Sequence, residues 1–176
     1  MIVGHLPAGY LVSRLVFYRL GSRNVTLKWV LLAGLFGSIA PDLDLLYAYF
    51  FAPAYRHHHT YWPHLPMVWV SFLIVSIVLQ SCGLWARFSV YLLVFSLNGF
   101  VHMLLDTITG EIWWFAPFLD ESFTLNTSTM RYERWWMNII FNWAFAVEMG
   151  IVASALYLGY RDMRVRHKPI EVGGAR

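Results

Sequence analysis

The sequence predicts an all-α fold: a polytopic helical membrane protein with about five membrane helices and a layer of metal-ligating residues at one face. Three observations predict it. Hydrophobic residues make up 59% of the 176-residue chain and charged residues only 13%, against roughly a quarter charged in an ordinary soluble domain, so lipid is the natural solvent. Apolar stretches of spanning length recur, and one of them, Leu65 to Ala86, has no charged residue. Finally, histidines and aspartates lie inside or beside these stretches. An unpaired ionisable group there costs on the order of 3 kcal/mol, so each of them needs a partner.

Taken in order, residues 1–160 read as a single helical membrane domain and 161–176 as a basic cytoplasmic tail. Leu6 to Leu20 forms the first helix, with Leu6, Tyr10, Leu11, Leu15 and Tyr18 near helical spacing and Arg14 and Arg19 pointing elsewhere. It either spans with its arginines snorkelling or lies in the interface. Those arginines also interrupt the first apolar run, so a cleaved signal peptide is not expected. Gly21 to Asn24 breaks the helix. The next run, Trp29 to Ala40, is too short to span alone, and Pro41 with Asp42 and Asp44 interrupts it before Leu45 to Phe51 resumes.

Ala52 to His64, with two prolines and four histidines, reads as a loop at the membrane surface. Leu65 to Ala86 is the clearest span, and a tight turn around Gly83 and Arg87 leads to the next, Phe88 to Leu105. The more polar Thr107 to Arg134 reads as a long extramembrane loop. Trp135 to Tyr160 is the last span, with Glu148 as its one charge. Glu148 is expected either to hydrogen-bond a neighbour such as Asn142 or Asn98, or to join the site.

Charge sets the orientation. The net charge of +3 is spread over short connections without a stripe or recognised motif, which argues against nucleic acid as a partner. Arg19, Arg23 and Lys28 lie in the first connection, Arg87 in the third, and Arg161, Arg164, Arg166 and Lys168 in the tail, so these belong inside. The remaining connections lack a basic excess and belong outside. His5, the Pro41 corner, the histidine loop and the end of the fourth helix then share the outer face of an inner (plasma) membrane. Trp62, Trp113, Trp114, Trp135 and Trp136 form the aromatic belt there. The single Cys82 cannot form an internal disulfide.

The polar residues of that face form a constellation. His102 and Asp106, four apart on a helix, present both side chains to one ion. Asp42 and Asp44, two apart beside Pro41, suit a turn. Of the loop histidines, His58 and His64 are ranked as ligands ahead of His57 and His59. Thr107, Thr109 and Gly110 follow the His102/Asp106 pair and fix the turn that presents Asp106. Imidazole with carboxylate is a ligand set suited to zinc, with manganese or iron also compatible, and the number of donors allows one or two ions.

The order His5 with Gly9, Pro41-Asp42-Leu43-Asp44, a His-rich segment ending at Thr60 to His64, His102-x-x-x-Asp106-x-x-Thr109-Gly110 and Trp114 to Pro117 resembles the inner-membrane metal-dependent hydrolase family of LexA-regulated YdjM-like proteins. The resemblance runs from His5 to Pro117. The family is in turn distantly similar to the helical zinc phospholipase C and P1 nuclease group. This similarity implies His5, Asp44, His58, His102 and Asp106 as ligands. The family's usual Thr-His-Ser is here Thr60-Tyr61-Trp62-Pro63-His64, and only Glu148 lies near the later ligands of the phospholipase group. The resemblance implies a hydrolase whose metal-activated water attacks an ester or phosphoester, with Asp42 as general base if Asp44 is a ligand. The depth of the site implies a lipid-like substrate from the surrounding bilayer. The competing expectations are a structural or ion-transport metal site and a membrane scaffold without metal.

Overall fold

A computed structural model describes residues 3–20, 25–51, 58–125 and 133–166. These form seven α-helices: α1 (His5–Leu20), α2 (Leu27–Ile39), α3 (Leu43–Phe51), α4 (Pro66–Ser81), α5 (Ala86–Thr109), α6 (Trp135–Ile140) and α7 (Trp143–Arg166). Two 3-10 turns, His58–Thr60 and Trp62–His64, lie between α3 and α4. Among the described residues the only β pairing is one isolated antiparallel bridge between Ile112 and Phe123. Helix α5 is central, packed against α2, α4 and α1, while α1 also packs against α2 and α7.

Pro41 breaks the second apolar run as its chemistry requires, because it has no N–H to continue the helical ladder. The chain crosses the break on tight bonds, Asp42 N–H to Ile39 O (3.1 Å) and Asp44 N–H to Pro41 O (3.3 Å), and α3 leaves α2 at 44°. The tight turn expected near Gly83 forms with Gly83 at φ 67° and Trp85 at φ 49°. Glycine adopts such a φ freely, and a tryptophan does so at a cost of about 1 kcal/mol.

Two helices, α5 and residues 143–164 of α7, are long and apolar enough to cross a membrane, and the bent α2–α3 pair brings the number to three. Length and composition thus do not carry the count to the expected five. The uncharged stretch from Leu65 gives a helix of only 16 residues, about 24 Å at roughly 1.5 Å per residue, because the turn at 82–85 ends it. The last apolar run is also divided. Asn142 Oδ1 accepts the Ala144 N–H (3.0 Å) in the manner of an N-cap, so α7 starts at Trp143 and runs on to Arg166, through the start of the basic segment.

The helices turn their large apolar side chains outward, as Phe36, Ile74, Val78 and Leu156 show. Their contacts are built from small residues, the pattern expected where lipid competes equally for apolar surface. A Cβ on Gly37 would collide with the backbone of Phe95, so α2 approaches α5 to a distance only glycine permits. Buried Ser13 returns its hydroxyl to Gly9 O (2.6 Å) and accepts from Asn98 Nδ2 (3.2 Å), linking α1 to α5. Farther along α1, Arg14 forks onto both carboxylate oxygens of Asp162 on α7, at 2.8 and 2.7 Å. Bidentate pairing of this kind is the usual condition for keeping both charges in apolar surroundings.

Candidate metal centre

The centre is assembled on the C-terminal part of α5. His102 and Asp106 project from one face, with His102 Nε2 3.0 Å from Asp106 Oδ2. The other ring nitrogen, Nδ1, lies 2.8 Å from Ser38 O at the end of α2. That carbonyl is available because the Asp42 N–H, its partner in an uninterrupted helix, bonds Ile39 O instead. A carbonyl only accepts, so Nδ1 donates to it, and Nε2 is left to face Asp106, as a donor to the carboxylate or as a ligand to an ion held beside it.

The same arrangement occurs twice more. His64, fully buried in the second 3-10 turn, meets Asp44 Oδ2 through Nδ1 at 2.5 Å. Its Nε2 is 3.7 Å from both Asp42 Oδ1 and Asp106 Oδ2. His59 donates from Nδ1 to Glu111 O (2.7 Å), and its Nε2 lies 3.7 Å from Asp106 Oδ2. The His59 ring fits there because residue 110 is glycine: a Cβ at Gly110 would be 2.8 Å from His59 Cε1. Three imidazoles therefore have Nδ1 held by oxygen and Nε2 directed toward one carboxylate, which is how metal-binding histidines are usually fixed.

Asp42, His64, His102 and Asp106 each offer one donor atom, and all four atoms lie within 4.8 Å of one another. Ligands around a tetrahedral zinc ion would stand roughly 3.3 Å apart, so this donor set fits a divalent ion. His64, His102 and Asp106 are buried, whereas the Asp42 side chain is 37% exposed and marks the open side. Burial opposes charge on His64, but the Asp106 carboxylate nearby and the hydrogen bond to Asp44 outweigh it and raise its pKa to about 9. Without a metal, a proton on His64 balances these carboxylates at neutral pH.

His5 begins α1 and lies on the other side of Asp106, its Nε2 3.1 Å from Oδ1 and its ring stacked on His102 at 3.8 Å. The start of α1 is pinned by α7. Glu148 Oε1 accepts the N–H groups of Val3 (2.5 Å) and Gly4 (2.8 Å). Neither Asn98 nor Asn142 is its partner in those bonds; a pair of backbone donors 145 and 144 residues away fills that role.

Thus His5, Asp42, Asp44, His64, His102 and Asp106, all singled out in the sequence, come together. Asp42 reaches the donor group, and Asp44 holds the far side of the His64 ring. Both His57 and the side chain of His58 lie outside the described residues. His59, ranked low from sequence, is present at the centre, and Gly110 is the residue that makes room for it. Trp114, assigned from the sequence to an aromatic belt, donates from Nε1 to Thr107 Oγ1 (3.0 Å) on the last turn of α5.

A family model described as YdjM inner membrane protein matches residues 1–167. No curated protein and no solved structure matches the chain.

Proposed function

The chain belongs to the YdjM inner membrane protein family, and we propose that within this family it is a membrane-embedded, metal-dependent hydrolase of esters or phosphoesters. One observation carries the reading: His59, His64 and His102 have Nδ1 held by oxygen, and each turns Nε2 toward Asp106. In this reading His64, His102 and Asp106 hold one divalent ion, zinc first, with manganese or iron as alternatives. Asp44 orients His64, while His5 holds Asp106 from its other oxygen. Catalytic zinc sites keep three protein ligands and one open position. Asp42, the exposed fourth member of the donor group, is assigned to the attacking water as general base, even though Asp44 grips His64 and is not the ligand to which the sequence ties this role. A bound divalent ion supplies an acidified water and polarises the substrate oxygen. With an ion held there, Asp42 would take a proton from the attacking water and return it to the ester oxygen, which would leave as the alcohol while the water oxygen takes its place on the carbonyl carbon or phosphorus.

The accompanying topology has five crossings, α1, α2–α3, α4, α5 and α7, with Arg19, Arg23, Lys28, Arg87 and the basic end of α7 inside. The centre then faces outward. The exposed Cys82 is a natural reporter in the turn before Arg87. In intact cells an impermeant maleimide should spare Cys82 and label Trp62→Cys in a Cys82→Ser background. The reverse pattern would invert the orientation.

Metal analysis of purified protein tests the reading: one equivalent of zinc, manganese or iron is expected, and none would sink it. Asp42→Asn should retain the ion and lose hydrolysis of bis(p-nitrophenyl) phosphate or a p-nitrophenyl ester. A structural or transported ion is the second reading: it expects either a closed shell, with Asp42 as fourth ligand and no water position, or a polar path leading on through Glu148. That carboxylate is engaged by the start of α1, which speaks against the path, and metal binding that depends on Asp42 without any hydrolysis would favour the closed shell.

A further inference from the structure

A groove of about 720 Å³ runs beside the centre, walled by Phe36 of α2, Ala40 in the break that follows it, Leu43 and Tyr47 of α3, Trp69 and Phe72 of α4, and Phe95 of α5. Its volume is that of a small-molecule site. One carboxylate, Asp44, belongs to its wall, and that carboxylate also grips His64. The floor is fixed to the centre as well. Trp69, buried at 3% exposure, donates from Nε1 to Pro63 O (2.7 Å), immediately before His64. Its ring occupies space that opens only because residue 99 is glycine, since a Cβ there would run into it.

The other walls lead outward. Phe36, Leu43 and Tyr47 are about half exposed on the bent α2–α3 pair, which is long and apolar enough to cross a membrane. A groove opening sideways from such a pair opens into hydrocarbon. Lipid already surrounds these surfaces, so the groove gains little from desolvation and must select by shape. We propose that it seats one hydrocarbon chain of a bilayer amphiphile, the polar end of which reaches Asp44 and the open side of the centre. The substrate is then a membrane ester or phosphoester carrying at least one long chain, delivered from within the bilayer. This rests on the hydrolase reading, and it explains why a hydrolytic centre adjoins an aromatic groove that water would avoid.

The test uses the full-length protein in nanodiscs of phosphatidylethanolamine and phosphatidylglycerol. A small fraction of the phosphatidylglycerol carries a diazirine near the end of one chain. After photolysis, peptide mapping should find Tyr47, Phe72 and Phe95 labelled several-fold more than Ile74 and Val78 on the outer surface of α4. Ala40→Trp and, independently, Leu43→Trp should abolish that excess and leave labelling of Ile74 and Val78 unchanged. Equal labelling of groove and outer surface, or an excess that survives both fillings, overturns the proposal. Metal content of the same samples separates the two readings. Groove labelling without bound metal supports the chain site and removes the hydrolase, whereas bound metal without groove labelling does the opposite.

Discussion

Two regions of this protein bury polar groups, and they satisfy them by different means. In the seam of α1, α2 and α5, hydroxyls turn back on their own helices, Ser13 to Gly9 O and Ser96 to Leu92 O, both at 2.6 Å. At the end of α5 the groups are ionisable and their partners come from other elements: Ser38 from α2, Asp44 from α3, His59 and His64 from the 3-10 turns, and His5 from α1. Local chain geometry closes the seam, the Asn98–Ser13 bond apart, but only the tertiary structure closes the centre. The seam should therefore tolerate loss of a polar atom and reject added volume. The centre should show the opposite sensitivity.

The largest effect is expected at the centre. Removing an orienting partner of a metal ligand costs roughly 10- to 100-fold in affinity, and removing the ligand itself should cost more. His102→Ala and Asp106→Ala should each lower metal affinity by more than about 100-fold, read as loss of bound metal on dialysis. Retention of a full equivalent by both would break the distinction between the regions. The next largest belongs to the seam. Gly37→Ala places a methyl against the Phe95 backbone, and backbone cannot rotate aside as a side chain can. A loss of about 3 kcal/mol is expected, the upper part of the overpacking range, read as a lower thermal midpoint in detergent.

Asp44→Asn probes the centre without removing a proposed ligand. Metal affinity should fall by roughly 10- to 100-fold, with the stoichiometry restored at high zinc. A second signature appears in the metal-free protein. The pKa of His64 is raised from 6.5 to about 9, so its contribution to stability is complete below about 6.5 and is lost as the pH rises through about 9. Thermal midpoints of the metal-free protein should fall across that window, and Asp44→Asn should narrow it. At the far side of Asp106, Glu148→Ala removes the acceptor for two backbone donors and should cost about 2 kcal/mol, within the range for a hydrogen bond to a charged group. Glu148→Gln keeps an acceptor oxygen and should recover about half of that. Equal losses in the two variants would mean that the packing of Glu148 matters and its bonds to α1 do not.

What could be read from the sequence follows the same division between local and tertiary. The break at Pro41, the turn at Gly83 and the shared face of His102 and Asp106 depend on residues within a helical turn or two, and the sequence announces all of them. The length of α4 was misleading, because the uncharged stretch continues through the turn that ends the helix. The last span lies in the expected apolar run but starts later than that run, since the Asn142 cap lies inside it. The residues of the centre were identifiable by type, but their division of labour was not. Which of Asp42 and Asp44 meets the donor group depends on how α3 leaves the break. His59 reaches the centre by way of the Glu111 carbonyl and the space at Gly110, about fifty residues away. The partners of Glu148 are backbone N–H groups, which no side-chain pattern can signal.

The smallest effect is the sharpest check on the seam. Ser96 is fully buried in the middle of α5, which in a soluble core would mark it as a costly residue to change. Its hydroxyl, however, donates only to carbonyls of its own helix, Leu92 O at 2.6 Å and Leu93 O at 3.3 Å, and such carbonyls also have helical N–H partners. Ser96→Ala leaves those carbonyls bonded and gains helix propensity, so the change in stability should be within about 0.5 kcal/mol. Ser13→Ala differs in one respect. Ser13 also accepts from Asn98 across the α1–α5 contact, and its loss leaves that amide with Val94 O as its remaining acceptor. It should therefore cost about 1 kcal/mol more than Ser96→Ala. If thermal midpoints in detergent put the two serines level, the Asn98 link contributes nothing and the seam is held by shape alone.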